Sequence, residues 1–241
     1  MNTLRAQFRA LLGAGLLLLG ASAAAEESLQ GALEPSVNRL DLTLVGSVIL
    51  EVGEEAGYRV TAEEPEALEA LRIEARGRRL IVKQETQKKS GWIWDNDERL
   101  PVTLTVTLPA FEEVDFGGAG RLRGEGLSGD ELSLRLAGAG ECELEDLALG
   151  RFELTLAGAA RCEVSGRADA LEVSIAGAGS FEGFELETQA AEVSVAGAGS
   201  AEVTARESFE GSVAGIGHIA YRGNPGSVEQ SVSGLGRIEA D

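Results

Sequence analysis

Glutamates at a repeated position are the first residues of this sequence that suggest chemistry. Glu153, Glu172, Glu192 and Glu210 follow one another at intervals of 18–20 residues, each inside an alternating segment. Carboxylate oxygens are the ligands that calcium prefers in proteins. Two interpretations are open for this row of acids: a solvated face that keeps the protein soluble, or weak surface calcium sites that offset the repulsion between the carboxylates. No other cofactor is predicted.

Cys142 and Cys162 occupy equivalent positions of two consecutive repeats. If the repeats stack as neighbouring parallel strands, their Cα atoms lie about 4.8 Å apart. That separation is within the range of roughly 4.4–6.8 Å found in disulfides. The sequence therefore predicts either a disulfide or two buried thiols that pack as small apolar groups.

Trp92 and Trp94 are the two tryptophans of the chain, and both lie in an irregular segment at 86–99. The adjacent Lys88 and Lys89 form the only lysine pair. Exposed aromatic side chains in a loop are typical of a contact surface for a glycan, a peptide or a partner protein. The alternative is that both rings cover an open end of the fold, as the terminal units of repeat proteins must.

Catalytic arrangements find little support. His218 is the single histidine and follows Gly217 at a position where other repeats carry polar residues, which favours an ordinary surface side chain. The glycine triplets lack the third glycine and the following helix of a dinucleotide-binding loop. The net charge of −19, from 40 acidic and 21 basic residues, disfavours a nucleic-acid partner. We therefore expect a protein that is not an enzyme.

A repeat of about twenty residues positions all these side chains. Its mark is a Gly-x-Gly triplet or a close variant, and successive copies begin 20, 20, 19, 20, 18 and 19 residues apart. The seven copies begin at Gly118, Gly138, Gly158, Gly177, Gly197, Gly215 and Gly234. Such a fixed period is the signature of a repeat architecture. Each triplet is predicted to form a tight corner, where a positive φ or a close backbone approach excludes a Cβ atom.

Strict alternation of apolar and polar residues precedes each triplet, as in Leu132, Leu134 and Leu136, and a second short strand follows it. Period two indicates strands with one buried face. Two strands per repeat in constant order predict a parallel β-helix, that is, a β-solenoid with rungs of about twenty residues. Residues 114–241 form the regular rungs, and residues 37–113 form irregular, β-rich rungs. Together, residues 37–241 are predicted to be one all-β domain.

Residues 1–25 have the parts of a secretory signal peptide: Arg5 and Arg9, an apolar run over 10–19, and a small-residue stretch ending at Ala25. The apolar run is short for a spanning helix, which needs about 20 residues. We therefore expect export, with no membrane span after cleavage. Residues 26–36 show little pattern and are interpreted as a flexible lead-in.

The order of these blocks resembles the head GIN domain family of putative autotransporter adhesins. The resemblance is carried by the strand over 40–48, by Leu80-Ile81-Val82, and by the strand over 102–109 that leads into 114–120 and the repeated Gly-Ala-Gly corners. It implies a single right-handed β-solenoid head domain in the cell envelope, with no catalytic residues to carry over.

The function expected is that of a putative adhesin or binding module in the periplasm or on the outer cell surface, with a glycan or an envelope protein as partner. The alternatives are a polysaccharide-active β-helix enzyme and a purely structural envelope protein. The ligand and the oligomeric state are left open.

Overall fold

The computed structural model describes residues 27–85 and 99–241. Those ranges contain thirteen β-strands and one short α-helix. The elements are β1 (Glu27–Ala32), β2 (Arg39–Val52), β3 (Gly57–Ala62), α1 (Pro65–Glu69), β4 (Leu71–Arg76), β5 (Arg79–Gln84), β6 (Val102–Leu108), β7 (Glu113–Glu125), β8 (Ser128–Gly177), β9 (Ser180–Gly197), β10 (Ser200–Gly215), β11 (His218–Arg222), β12 (Ser227–Gly234) and β13 (Arg237–Ala240). The predicted all-β class is confirmed.

Parallel, in-register pairing joins each turn of the chain to the next. β7 pairs with β2 on one side and with β8 on the other, β8 pairs with β9, and β9 pairs with β10. The result is a β-solenoid of about 6 turns. The predicted parallel coil with turns of about twenty residues is therefore confirmed.

Three sides can be distinguished around each regular turn. Side A carries the strand before the glycine corner and runs from β4 and β5 through β2 to β12; side B carries the strand after the corner and runs from β1, β3 and β6 through β2 to β13. The sequence predicted two strands per repeat, but a short third side closes each regular turn. It buries single leucines such as Leu127, Leu147 and Leu186, and so few apolar residues do not produce a recognisable alternation.

The core consists of stacked inward-facing side chains. On side A, the apolar members of the predicted alternation are buried, among them Leu134, Leu154 and Val173 at 1% exposure or less. On side B, the inward column of Leu122, Cys142, Cys162, Phe181, Ala201 and Ile219 is buried as well. Apolar residues that stack in columns keep water out along the whole axis, which is the main stabilising contribution.

The corner between sides A and B depends on the first glycine of each triplet. Gly138 has φ +130°, and a Cβ atom there would lie 2.1 Å from the carbonyl oxygen of Gly118 on the previous turn. Both predicted reasons for glycine therefore apply. The corner does not always interrupt the strand, because β8 continues without a break through the triplets that begin at Gly138 and Gly158.

The amino-terminal region corrects one prediction. Residues 26–36 were expected to be a flexible lead-in, but Glu27–Ala32 forms β1, which pairs antiparallel with β3. The ring of Tyr58 on β3 lies against Gly31, where a Cβ atom would be 2.7 Å from it. Pairing with a distant strand stabilises this segment, and its own side chains show no alternation that would predict a strand.

The two ends of the solenoid differ. At the amino-terminal end, α1 begins with a proline in its first turn and buries Ala67 at 1% exposure. At the other end, every residue of β12 is exposed. Among the described residues, no helix is long and apolar enough to cross a membrane.

Candidate functional site

The predicted acidic row lies on the outer face of side A. Glu172, Glu192, Glu210 and Glu229 are paired in register on successive turns, and the corner glycines place Glu153 one turn earlier. Arg151 forms an ion pair with Glu172. Among the residues that the structure describes, no group of three or more acidic, histidine or cysteine side chains has a metal-binding arrangement. The row is thus a ladder of separate carboxylates, and calcium binding along it stays a prediction.

Arginines neutralise part of the acidic surface on side B. Arg121 lies opposite Glu141 on the next turn, and its Nε donates a hydrogen bond to Glu141 Oε2 at 2.9 Å. This hydrogen bond, with the positive charge of the guanidinium, lowers the pKa of Glu141 and raises that of Arg121. Arg123 and Glu143 form a second cross-turn pair at 2.9 Å. Such exposed pairs stabilise the fold only slightly.

Cys142 and Cys162 occupy the same buried column of side B, as predicted from the repeat. Their Cα atoms are 4.3 Å apart, and the two sulfur atoms are in contact. Both side chains are buried, at 2% and 0% exposure. The geometry brings the pair together, while the oxidation state of the two sulfurs stays a prediction.

His218 lies in the polar column predicted for it, in register with Ser200 and Arg237. Its Nδ1 accepts a hydrogen bond from Arg237 Nε at 3.2 Å, and its Nε2 is 3.4 Å from a carboxylate oxygen of Glu239. Both ring nitrogens therefore have partners on the neighbouring turn. The contacts are those of a surface side chain that links two strands.

Trp92 and Trp94 lie outside the described residues. The structure does describe the two chain positions from which their segment leaves and returns. There, the buried side chain of Gln84 accepts a hydrogen bond from the Val45 amide at 3.1 Å and donates one to the Leu100 carbonyl oxygen at 2.6 Å. Both polar atoms of the Gln84 amide are thus satisfied by backbone groups, and the side chain links the end of β5 to Leu100.

A surface cleft that sequence reasoning missed lies on side B at the amino-terminal end. It has a volume of about 570 Å³ and is bounded by β1, β3, β6 and the end of β2. Its lining includes Gln30, Glu51, Glu55, Tyr58, Arg59, Thr105 and Thr107. Gly57 lies opposite Thr107 on β6 and opposite Ala32 on β1. Because these positions carry a glycine and an alanine, the floor of the cleft is low between longer side chains.

The cleft contains polar groups of several kinds. Thr107 donates a hydrogen bond to Glu51 at 3.0 Å. No ion pair joins Arg59 to any residue that the structure describes, whereas the arginines of the neighbouring turns, such as Arg79 and Arg135, contact carboxylates. Tyr58 borders the cleft, but its side chain lies on the same face of β3 as the buried Val60 and packs against the core, and this burial raises its pKa. Glycines at 31 and 57 beside a tyrosine were the available sequence signal for this cleft.

Comparisons with known proteins agree on the architecture. A family model described as "Putative auto-transporter adhesin, head GIN domain" matches residues 38–225. A search of curated proteins found no match.

Three solved structures illustrate the likeness. A putative adhesin from Bacteroides fragilis has a TM-score of 0.80 at 22% identity, covering 91% of this chain and 98% of its own. A putative lipid binding protein from Parabacteroides distasonis has a TM-score of 0.64 at 18% identity, covering 89% and 96%. A putative adhesin from Parabacteroides merdae has a TM-score of 0.62 at 16% identity, covering 89% and 95%. At these identities the likeness establishes the fold.

Proposed function

Because the chain belongs to the family of putative auto-transporter adhesins with a head GIN domain, we propose that it is a non-catalytic binding module of the bacterial cell envelope. The cleft at the amino-terminal end of side B is the ligand site in this proposal. The signal-like segment at 1–25 supports export to the periplasm or the outer cell surface. The family name and the adhesin names of two structural neighbours support the binding role.

The position of the cleft is the observation that carries the proposal. The regular turns present uniform ladders of glutamate, serine and arginine, whereas β1, β3 and β6 interrupt the parallel order with antiparallel pairs. Departures from the regular pattern of a scaffold are expected at functional or strained sites. The irregular turns carry a concave surface with carboxylates, an amide, hydroxyls and a guanidinium.

A glycan is the ligand class that this lining fits best. Sugar hydroxyl groups both donate and accept hydrogen bonds, and Gln30, Glu55 and Arg59 supply complementary donors and acceptors. One neighbour is named a lipid binding protein, but an acyl chain needs an apolar pocket. The acidic surface also repels anionic headgroups.

The segment with Trp92 and Trp94 is the second contact in this proposal. It leads directly into β6, the strand that carries Thr105 and Thr107 of the cleft. We propose that one or both indole rings extend the ligand surface beyond the cleft, since aromatic rings commonly anchor binding sites. The competing interpretation, that the rings cover part of the fold, predicts loss of stability when they are removed.

The experiment is a glycan-array screen with the purified protein, followed by titration of any glycan that binds. Arg59→Glu is expected to weaken that binding at least about tenfold, because it reverses the charge of a guanidinium exposed in the cleft. The matched control is Arg167→Glu, a similarly exposed arginine on the third side of a regular turn. Equal binding by both variants would contradict the cleft as the site.

Trp92 and Trp94 are tested by a double replacement with alanine. Under the proposal, glycan binding falls while the melting temperature stays within a few degrees of that of the unchanged protein. Buried aromatic truncations cost about 3–5 kcal/mol each. A large drop in melting temperature would therefore assign the rings to the core and contradict their role as ligand contacts. Progressive shortening of the bound glycan would instead support the polysaccharide-active enzyme.

A further inference from the structure

The carboxy-terminal turn leaves a strand edge open. Among the described residues, β12 pairs only with β10, along Ser208–Gly215. All eight residues of β12 are exposed. The opposite edge of β12 thus carries backbone donors and acceptors that have no strand partner within the described chain, and such an edge is a template for another strand.

Apolar side chains are exposed beside this edge. Val228 and Val232 are 42% and 46% exposed, although they continue two columns in which Phe209 and Val213, on the turn before, are 2% and 1% exposed. Leu235, at the middle position of the last glycine triplet, is 88% exposed. At Val228 and Val232, the last turn therefore exposes core columns that the earlier turns cover.

The sequence of β12 lacks the features that usually block an edge strand. Its segment, Ser-Val-Glu-Gln-Ser-Val-Ser-Gly, contains one charged residue, Glu229, and no proline. At the other end of side A, the edge strand β4 carries Arg72, Glu74 and Arg76, and Arg72 and Arg76 form ion pairs with nearby glutamates. Charged edges disfavour strand addition. Stacking of one copy's carboxy-terminal end on another's amino-terminal end is therefore disfavoured.

We propose that β12 pairs antiparallel with β12 of a second copy, which makes a tail-to-tail dimer with a two-fold axis at Gln230. Both copies contribute the same strand to the interface, as expected for a dimer with two-fold symmetry. Side chains that lie directly opposite in an antiparallel pair point to the same face. The inward positions of β12 are Val228, Gln230 and Val232. The core faces of both copies therefore align only in registers that place these inward residues opposite inward residues of the second copy.

Charge and apolarity select one register among these. With Gln230 opposite itself, Val228 faces Val232 of the second copy, and Glu229 faces Ser231 of the second copy. The register centred on Glu229 would place Glu229 directly opposite Glu229 of the second copy, and like charges directly opposite are destabilising. The register centred on Ser231 would place Val232 opposite Gln230 of the second copy. The register centred on Gln230 avoids both.

This dimer goes beyond the proposed binding function. It would carry an amino-terminal cleft at each of its two ends. The carboxy-terminal turns meet at the centre, so the amino-terminal clefts lie at opposite ends of the assembly. Two sites facing apart can bridge two surfaces, and avidity follows when both are occupied.

Sedimentation velocity over a range of concentrations tests the association. We expect a monomer–dimer equilibrium, with nothing larger. Gln230→Lys places two positive charges at the axis and should raise the dimer dissociation constant at least about tenfold. The matched control, Ser212→Lys, adds the same charge to the exposed outer face of β10 and should leave dimerisation unchanged. The proposal would be overturned if the protein is a monomer at all concentrations or if it forms species larger than a dimer. It would also be overturned if Gln230→Lys leaves the dimer dissociation constant unchanged.

Cysteine cross-linking tests the register. Under mild oxidation, Gln230→Cys should form a covalent dimer, because residue 230 faces itself across the axis. In Glu229→Cys the two cysteines are diagonal, with Cα atoms about 8 Å apart, beyond the roughly 7 Å limit for a bridge. Equal cross-linking by both variants would overturn the register centred on Gln230. The melting temperatures of all variants establish that each one is folded.

Discussion

Cys142 and Cys162 lie next to each other in the stacked core of side B, where a bridge between them would join two neighbouring turns. The loop between them spans 20 residues, and closing a loop of that length in the unfolded chain is worth about 3 kcal/mol in the chain-entropy model. We predict that the protein purified from an oxidising compartment contains the bridge, and that a reductant lowers its melting temperature.

Thiol titration of the denatured, unreduced protein measures the state of the two cysteines directly. The bridged form gives no reactive thiol, and two reactive thiols would mean that both cysteines are reduced and pack as small apolar groups. Replacement of Cys142 and Cys162 together by alanine provides the control. In that variant the reductant should have no effect on the melting temperature.

Glu141 provides the pH-dependent test at the residue scale. The hydrogen bond from Arg121 lowers the pKa of Glu141 in the folded protein. A carboxyl whose pKa is lowered by folding stabilises the fold above its unfolded pKa, and that contribution is lost as the pH falls through the folded value. Arg121→Gln is therefore expected to raise the pKa of Glu141, measured by NMR titration of its side-chain carboxyl carbon.

Glu85 is the internal control for this titration. Arg72 lowers the pKa of Glu85 by an equivalent hydrogen bond in a different part of the fold. Arg121→Gln should leave the pKa of Glu85 unchanged. If the pKa of Glu141 is also unchanged in this variant, the ion pair between Arg121 and Glu141 does not persist in solution.

The glycine corner is the element that makes the solenoid turn. Gly118 has φ +136°, and a Cβ atom there would lie 2.1 Å from the Leu44 carbonyl oxygen. Gly117 precedes it on β7, and a Cβ atom there would meet nothing closer than 3.8 Å. We predict that Gly118→Ala destabilises the protein by about 2–4 kcal/mol, whereas Gly117→Ala changes the free energy of unfolding by less than about 1 kcal/mol.

Urea denaturation of the two variants measures this difference. The substitutions are chemically identical and one residue apart, so any effect of alanine on the unfolded chain is shared. Similar free energies of unfolding for both variants would contradict the role assigned to the corner. In that case, we would expect strand β7 to have shifted so that the new methyl group at position 118 avoids the Leu44 carbonyl oxygen.

Charge is the property that acts on the molecule as a whole. The net charge is −19, and in-register glutamates about 4.8 Å apart repel by roughly 1 kcal/mol per pair in water. We predict that sodium chloride raises the melting temperature by screening this repulsion. At constant ionic strength, calcium, magnesium and a chelator should give equal melting temperatures, as expected for a solvated face.

Specific calcium binding would appear as a higher melting temperature in calcium than in magnesium. Glu192→Gln with Glu210→Gln is the informative variant, because it removes two adjacent carboxylates from the side A row. Without calcium sites, this variant should be slightly more stable than the unchanged protein. With calcium sites, it should instead lose the stabilisation by calcium.

The repeat made much of the solenoid predictable from local information. Each turn is stabilised by contacts with the next turn, so a period of about twenty residues specifies both the strand pairing and the stacked columns. The glycine corners, the buried side B column with Cys142 and Cys162, and the outward row of glutamates followed from that period alone. The position of His218 followed in the same way, because equivalent residues of successive turns occupy equivalent places.

The features that the repeat does not predict lie where the period fails. β1 is a strand because it pairs with β3, and the cleft exists because β1, β3, β6 and the end of β2 meet around Gly57. Arg59 has Gln30 and Thr105 as its cross-strand neighbours and no carboxylate opposite it, because of antiparallel pairings that the period does not encode. The stacked repeat could therefore be derived from the amino-acid sequence, because its contacts join equivalent positions of neighbouring turns. The cleft and the open edge required the tertiary structure, because each depends on which segments lie beside one another in space and which strand edges lack a partner.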